Sequence, residues 1–193
     1  MAESPRPVGP HHAWGVDDLT RTAVAARDGD RAALARFVRE SQADVWRLAA
    51  HLVDRGAADD LTQEVYERAL RSLPSFRGES SARTWLLSIA RRTCVDTIRR
   101  RSRMRLREAR MRAVAVERRE HIGHDVELDE LLATLDADRR AAFVLTQLLG
   151  YSYAEAGEVC DCPVGTIRSR VARARAEIAH AWGTDAESGS AEL

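Results

Sequence analysis

Apolar residues recur every three or four positions in the last third of the chain. The members of this stripe are Ile167, Val171, Ala174, Ile178 and Trp182. Such a spacing predicts a helix that buries one face. Four arginines are interspersed with the stripe, so the opposite face of the same helix offers positive charge to a partner.

A shorter helix is predicted just before this one. Ser152 and Glu155 have the spacing of a capping box, which starts a helix directly after the serine. Gly157 lies one turn in, where a small side chain allows two helices to cross closely. Asp161 tolerates the left-handed backbone of a sharp turn, and Pro163 suits the start of a second helix. Two helices in this order are typical of a helix-turn-helix that enters the major groove of DNA, although a helical hairpin with a solvated basic face is the alternative.

The first half of the chain is also predicted to be helical. Apolar residues between positions 34 and 52 repeat at threes and fours, which indicates one long amphipathic helix or a helix pair. We expect Gly56 to close this segment. Asp59 and Asp60 should then open the next helix, because acids suit the positive end of a helix dipole. That helix should stop at Pro74.

A polar loop at positions 75–82 is followed by a long basic helix. Leu86, Ala90 and Cys94 share one side of this helix, which predicts its core face. Trp85 falls on the other side, among arginines. It either stacks on unpaired DNA bases or packs against a neighbouring helix, and the sequence leaves both interpretations open.

Two more helices, at positions 128–135 and 139–149, are predicted ahead of the helix-turn-helix, and Gly150 is expected to cap the second. Nowhere do β-branched residues alternate over a length that predicts a sheet. No apolar run approaches the roughly 20 residues of a membrane span, so no membrane insertion is expected. The pattern as a whole predicts an all-α protein.

The formal net charge of zero hides a strong segregation of charge. Positions 83–119 contain thirteen arginines and three acids, whereas positions 120–162 contain ten acids and two arginines. Positions 163–182 are basic again, with four arginines and one acid. Two basic zones separated by an acidic one predict two contacts with a polyanion. All thirty basic residues are arginine, which either favours bidentate contacts to phosphate and guanine or reflects a GC-rich genome.

The chain has three cysteines, two of them one residue apart. This number and spacing do not make a disulfide framework, so a reducing cytoplasm is the expected compartment. Cys160 and Cys162, with His180 further on, are interpreted as core thiols and not as a zinc site, because four ligands are hard to assemble from them. No metal and no cofactor is expected.

Three groups of residues, in their order and spacing, carry a resemblance to a known family. They are DDLTQE at 59–64, then FRG at 76–78 with TWL at 84–86 and IAR at 89–91, then CPVGTIRSR at 162–170 with RAR at 173–175. Together they resemble the bacterial extracytoplasmic-function (ECF) sigma factors of RNA polymerase. The likeness covers about residues 17–182, and within the family the sequence most resembles the actinobacterial sigma-C branch.

The resemblance implies two small helical domains joined by a basic flexible linker at 104–126. Sigma-2, at 17–103, would bind the clamp helices of the largest subunit of core RNA polymerase and open the −10 promoter element. Sigma-4, at 127–182, would bind the flap of the second large subunit and read the −35 element. The remaining segments, 1–16 and 183–193, are expected to be flexible tails.

The family's functional residues carry over to matching positions of this chain. The residues implied to bind core polymerase are Asp60, Gln63 and Glu64. Those implied to bind and melt the −10 element lie in a base-capturing loop and the helix after it: Phe76, Arg77, Gly78, Glu79, Ser80, Ser81, Thr84, Trp85, Arg91, Arg92 and Arg99. Those implied to read the −35 element lie in the second helix of the helix-turn-helix: Thr166, Arg168, Ser169, Arg170 and Arg173.

The expected function is promoter-specific initiation with core polymerase and promoter DNA as partners, and with an anti-sigma factor if one exists. No enzyme is expected, because the sequence offers neither clustered carboxylates nor a nucleophile beside a base. A conventional repressor or activator is the rival from another class. It would need the helix-turn-helix but neither positions 59–70 nor positions 75–85.

Overall fold

The computed structural model describes residues 17–111 and 124–188, and every structural statement below refers to these ranges. The predicted tail at 1–16, positions 112–123 of the predicted linker and the last residues of the predicted C-terminal tail lie outside them. The described residues form eight α-helices and no strand, which confirms the all-α prediction. The helices are α1 (Asp18–Arg27), α2 (Arg31–Leu52), α3 (Arg55–Ser72), α4 (Ala82–Met111), α5 (His124–Thr134), α6 (Ala137–Phe143), α7 (Tyr153–Cys160) and α8 (Val164–Ser188). A 3₁₀ turn (Leu73–Ser75) follows α3, and a π-helical turn (Val144–Leu148) continues α6.

Short polar side chains start most of these helices. The residues whose side chains accept a backbone N–H from the first turn of the following helix are Asp17, Asp30, Asp54, Asp136 and Ser152. At Ser152 the predicted capping box with Glu155 is complete. Each such cap contributes about 1 kcal/mol, so these residues fix where the chain enters each helix.

The helix boundaries around α2 differ from the sequence prediction. Gly56 does not close α2. It lies in the first turn of α3, and Asp59 and Asp60 follow within that helix. The cause is Asp54, whose carboxylate accepts a backbone N–H of the first turn at 2.8 Å and starts α3 earlier than predicted. The break between α1 and α2 is made by Gly29, whose φ of 102° ends the helical backbone.

Helices α1 to α4 form the N-terminal bundle. Phe37 and Leu48 of α2 meet Leu86 of α4 in its core, and all three are almost fully buried. Ala90 and Cys94 are buried as well, so the predicted core face of α4 is confirmed. On the opposite side of α4, Trp85 and Ile89 are half-buried against the core, and Arg92, Asp96 and Arg99 are exposed.

Helices α5 to α8 form the C-terminal bundle, in which α7 and α8 make a helix-turn-helix. Asp161 has the left-handed conformation predicted for the turn, with a φ of 53°. A Cβ atom on Gly157 would lie 2.9 Å from the carbonyl oxygen of Cys162, so this glycine permits the close crossing. Ile167 and Val171 of the predicted apolar stripe are buried. Order, turn and packing together confirm the predicted helix-turn-helix.

The two bundles pack directly against each other, mainly through α4 and α7. Arg140 of α6 donates from Nη1 to the carbonyl oxygen of Leu52, at the end of α2, at 2.9 Å. The Tyr151 hydroxyl donates to the Asp44 carboxylate of α2 at 3.3 Å. Burial raises the pKa of Tyr151 to about 12. Side chains of both bundles therefore contribute to the surface along which the bundles meet.

Two segments predicted to be flexible are helical. α4 continues to Met111, and α5 begins at His124, so the predicted linker at 104–126 is helical at both ends. Residues 104–111 contain neither glycine nor proline and are rich in strong helix formers, which explains the extension. α8 continues to Ser188, into the predicted tail.

Gly157 and Gly165 give a matched test of the helix crossing. The variant Gly157→Ala should lower the free energy of unfolding by about 1–3 kcal/mol, because the added methyl group meets the backbone across the turn. The variant Gly165→Ala should leave it unchanged or raise it by up to about 1 kcal/mol, because nothing lies within 4 Å of a Cβ there. Urea unfolding of the full chain, followed by circular dichroism, measures both. Equal midpoints for the two variants would contradict the close crossing.

Candidate nucleic-acid interface

The outward face of α8 is the first candidate surface for DNA. Arg168, Ser169, Ala172 and Arg173 are all exposed on it. The Ser169 hydroxyl donates to the Thr166 carbonyl oxygen at 2.9 Å, so part of its hydrogen-bonding capacity serves the helix itself. Two exposed arginines five positions apart on a helix that follows a sharp turn match the geometry of a recognition helix.

Arg170 does not share that face. Its Nη2 donates to Asp138 Oδ2 at 3.0 Å, and Arg91 Nη2 of the N-terminal bundle donates to Asp138 Oδ1 at 2.5 Å. The Arg91 and Arg170 side chains are only 14% and 23% exposed. The sequence assigns these arginines to two different promoter elements, whereas the structure brings them together on one carboxylate between the bundles.

The Asp138 carboxylate therefore accepts hydrogen bonds that Arg91 and Arg170 could otherwise donate to a DNA phosphate. Charge-assisted hydrogen bonds between a guanidinium and a carboxylate are short and comparatively strong. An arginine held in such a pair cannot donate the same N–H groups to DNA. In this arrangement Arg170 is neutralised by Asp138, whereas the exposed Arg168, Arg173 and Arg175 are not paired with an acid in any ion pair of the described residues.

The loop between α3 and α4 is the second candidate surface. Phe76, at its start, is only 5% exposed, and its ring lies 4.9 Å from that of Trp85. Arg77 and Glu79 project into solvent, with side chains 81% and 78% exposed. Gly78 has a φ of 73°, which a side chain would strain. The loop thus anchors itself through Phe76 and presents its middle to solvent, and the DNA contact of Phe76 stays a prediction for a residue that is buried in this structure.

Thr84, also predicted to contact DNA, is buried as well. Its backbone N–H donates to the Ser81 hydroxyl at 3.0 Å, and the Ser81 hydroxyl in turn donates to Thr84 Oγ1 at 2.9 Å. These bonds cap the first turn of α4. The residues form a structural end to the loop, and a contact to a DNA strand would have to come from their exposed neighbours.

Trp85 lies between the two interpretations left open by the sequence. It is half-buried, and its ring lies 6.5 Å from that of Phe37 in addition to its contact with Phe76. One part of the indole therefore packs against the core. Beyond it, Arg92 and Arg99 are exposed along α4 with the exposed Asp96 between them, so this side of the helix carries a net positive charge.

The predicted polymerase-binding residues lie on one face of α3. Asp60 and Gln63 are exposed, and Glu64 is half-buried and forms an ion pair with Arg68 at 2.5 Å. A groove of about 470 Å³ lies between α2 and α3 beside them. Its lining residues are Gln42, Ala43, Trp46, Arg47, Asp59 and Thr62.

The sequence analysis did not find Trp46, and it named Asp59 only at the start of a helix and in the DDLTQE motif. The indole Nε1 donates to Asp59 Oδ1 at 2.8 Å, which fixes the wall of this groove. A signal was available, because Trp46 directly follows the core residue Val45 and so falls beside the buried stripe of α2 and not within it.

A second apolar groove, of about 440 Å³, lies between α6 and α8. Phe143, Ile178 and Trp182 supply its apolar lining. The sequence predicts Trp182 as part of the buried stripe, but this residue is 56% exposed. The last turns of α8 extend past the well-packed part of the bundle, so the stripe continues onto an open surface.

The thiols are structural in character. Burial raises the pKa of Cys94 to about 12 and that of Cys160 to about 11, which disfavours the reactive thiolate. Cys162 is half-buried, and its sulfur accepts from Arg170 Nη1 at 3.5 Å. Within 17–111 and 124–188 there is no cluster of side chains able to hold a metal ion.

These surfaces describe a DNA-binding protein of two helical bundles, and comparison with known families gives its class. The Sigma-70 region 2 model matches residues 37–104, and the Sigma-70 region 4 model matches residues 125–178. The chain is 52% identical over 161 residues to the ECF RNA polymerase sigma factor SigC of Mycobacterium tuberculosis. That match covers 81% of this chain and 87% of the relative.

Solved structures agree with this result. CnrH, in complex with the cytosolic domain of CnrY, superposes with a TM-score of 0.69 at 25% identity, covering 88% of this chain and 99% of CnrH. The sigma factor RpoE of Bartonella quintana, in complex with the anti-sigma factor NepR, gives a TM-score of 0.63 at 27% identity, covering 79% and 98%.

The chain belongs to the ECF sigma factors of the sigma-70 family, and it directs promoter-specific transcription initiation by RNA polymerase. The similarity to SigC agrees with the sigma-C resemblance of the sequence. Among the described residues, none of the helices has the length and apolar character needed to cross a membrane.

The shared carboxylate between the bundles leads to a prediction about DNA affinity. Asp138→Asn should strengthen binding of the full chain to duplex DNA, because Arg91 and Arg170 are then no longer neutralised. The slope of log affinity against log salt should steepen by about 0.9 for each additional phosphate that the chain neutralises. Fluorescence anisotropy over a series of salt concentrations measures both the affinity and the slope.

Glu158→Gln is the matched control, because it removes the same charge from an exposed position on α7. If Glu158→Gln and Asp138→Asn change affinity and salt slope equally, net charge alone explains the effect, and the specific pairing plays no part.

Proposed function

We propose that the two bundles divide promoter recognition, with α8 reading the −35 element and the α3–α4 loop with α4 opening the −10 element. Exposed Arg168 and Arg173 support the first assignment, because a guanidinium can bond two acceptors of one guanine in the major groove. Thr166 and Ser169 would position the helix on the backbone beside them. This outward face of α8 is the single observation that carries the proposal.

The −10 assignment rests on the loop. Arg77, Glu79 and Ser80 are the residues available to a base that has left the stack, whereas Phe76, Ser81 and Thr84 hold the loop in place. Trapping a flipped base offsets an unstacking cost of a few kcal/mol. Exposed arginines further along α4 would then follow the phosphates of the melted strand.

Two surfaces are proposed for core polymerase. Asp60, Gln63 and Glu64 on α3, with the neighbouring groove, would meet the clamp helices of the largest subunit. The apolar groove that contains Trp182 would meet the flap of the second large subunit, since an exposed aromatic residue in a groove is a common anchor at protein interfaces.

Opening DNA strands by capturing a base makes and breaks no covalent bond, so the chain would not act as an enzyme. Its partners would be core polymerase and promoter DNA, in the cytoplasm. An anti-sigma factor is a further proposed partner, because a relative of the same fold is in complex with one. A conventional repressor has no use for the α3 face or the exposed loop.

The substitutions Arg168→Ala and Arg173→Ala test the −35 assignment. Each should reduce discrimination between the preferred and an altered −35 element by about 1–3 kcal/mol if it removes a bidentate base contact. Binding to core polymerase should be retained, because neither side chain lies on the proposed polymerase surfaces. Run-off transcription on two templates, one with the preferred and one with the altered −35 element, measures this discrimination as the ratio of transcript yields.

A template whose −35 element is replaced serves as the control, since the wild type and both variants should perform alike on it. Loss of polymerase binding with unchanged promoter choice would show that this face of α8 meets polymerase and not DNA.

A further inference from the structure

The loop from Phe76 to Ser81 approaches α1 at its start, near its middle and at its end, while Arg77 and Glu79 project into solvent. Arg27 Nη1 donates to the Phe76 carbonyl oxygen at 3.0 Å, at the start of the loop. Thr20 Oγ1 accepts the Ala82 N–H at 2.8 Å, at its end. Between them, a Cβ atom built on Gly78 would lie 3.8 Å from the Val24 side chain.

The three contact residues of α1 share one helical face. Thr20, Val24 and Arg27 are separated by four and three positions, the spacing of neighbours along one side of a helix. Along this side the loop runs in the opposite direction, from Arg27 at its start to Thr20 at its end. α1 therefore holds the loop at both ends and leaves little room beside Gly78 between them.

Both polar contacts are themselves oriented by neighbouring acids. Asp28 binds the Arg27 guanidinium through Nε at 2.8 Å and Nη2 at 3.2 Å, which leaves Nη1 for the loop. Asp17 accepts from the Thr20 hydroxyl at 2.8 Å, so the lone pairs of that oxygen turn to Ala82. Thr20 is almost fully buried, which makes its hydroxyl a fixed acceptor.

We propose that α1 is a positioning element for the base-capturing loop, in which Thr20 and Arg27 hold the loop in the conformation that accepts a flipped −10 base. Fixing a loop before binding removes the entropy cost that a mobile loop would otherwise incur at the moment of capture. The inference rests on the proposed function of the loop. It assigns a role in promoter opening to a helix outside the segment matched by the region 2 model.

The test uses the full chain with core polymerase on a promoter from which the wild type initiates, carrying 2-aminopurine in the −10 non-template strand. Thr20→Val removes the acceptor with little change of shape, and Arg27→Lys keeps the charge but loses the planar fork that serves Asp28 and Phe76 together. Each should lower the 2-aminopurine signal of base flipping, and discrimination among −10 bases, by about fivefold. Closed-complex formation should be unchanged.

Two controls separate positioning from simple stability. Thr20→Ser keeps the hydroxyl and should behave like the wild type. Arg36→Met removes an arginine that ties α1 to α2 through Asp18, at 3.1 Å, without touching the loop, and it should leave base flipping intact. A double variant of the exposed loop, Arg77→Ala with Glu79→Ala, reports independently on the loop itself.

The outcomes are distinct. Normal flipping and discrimination in Thr20→Val and Arg27→Lys, with a defect in the loop variant, would overturn the role of α1 alone. A parallel fall in closed-complex formation and thermal unfolding midpoint, matched by Arg36→Met, would also overturn it, because α1 would then be ordinary core. If the loop variant too retains full discrimination, the proposed function of the loop fails, and this inference fails with it.

Discussion

The carboxylate of Asp138 receives one arginine from each helical bundle, and the arrangement of the charged surfaces depends on this contact. Arg91 of α4 and Arg170 of α8 reach it from opposite sides, and both are largely withdrawn from solvent. Nearby, Arg140 spans the bundles by donating to the Leu52 carbonyl oxygen. An isolated positive charge at such a site would incur a large desolvation penalty, so the acid between the arginines is what makes the packing tolerable. Asp138 belongs to the acidic zone of the sequence, so this zone supplies a partner for one arginine of each basic zone.

This constraint sorts the arginines into two groups with different availability. Those that pair between bundles stabilise the packed arrangement, while Arg168, Arg173, Arg92 and Arg99 keep their charge at the surface. A similar division runs through the loop before α4, where Phe76 and Ser81 are used as supports and Arg77 and Glu79 project. In both places, buried contacts hold a few exposed side chains in position. That organisation suits a protein whose proposed work is to select and trap nucleic acid conformations without making or breaking bonds.

Much of this architecture could be predicted from the sequence because its determinants are local. The Ser152–Glu155 capping box, the left-handed Asp161 and the buried face of Leu86, Ala90 and Cys94 depend on spacing within one or two turns. The errors arose where a competing local signal or a distant contact decided the outcome. Asp54 caps α3 ahead of the acids expected to start it, and Phe76 is buried with its ring against that of Trp85. No spacing rule could place Asp138 between Arg91 and Arg170, since this requires knowing how two bundles pack.

The family of this chain makes it the subunit that gives core RNA polymerase its promoter specificity. Run-off transcription with purified core polymerase on a library of promoters, with and without the full chain, measures that specificity. We expect chain-dependent transcripts that start downstream of a shared pair of −35 and −10 elements, together with weak binding of the free chain to the same DNA. Tight sequence-specific binding by the free chain, with no stimulation of core polymerase, would contradict this expectation.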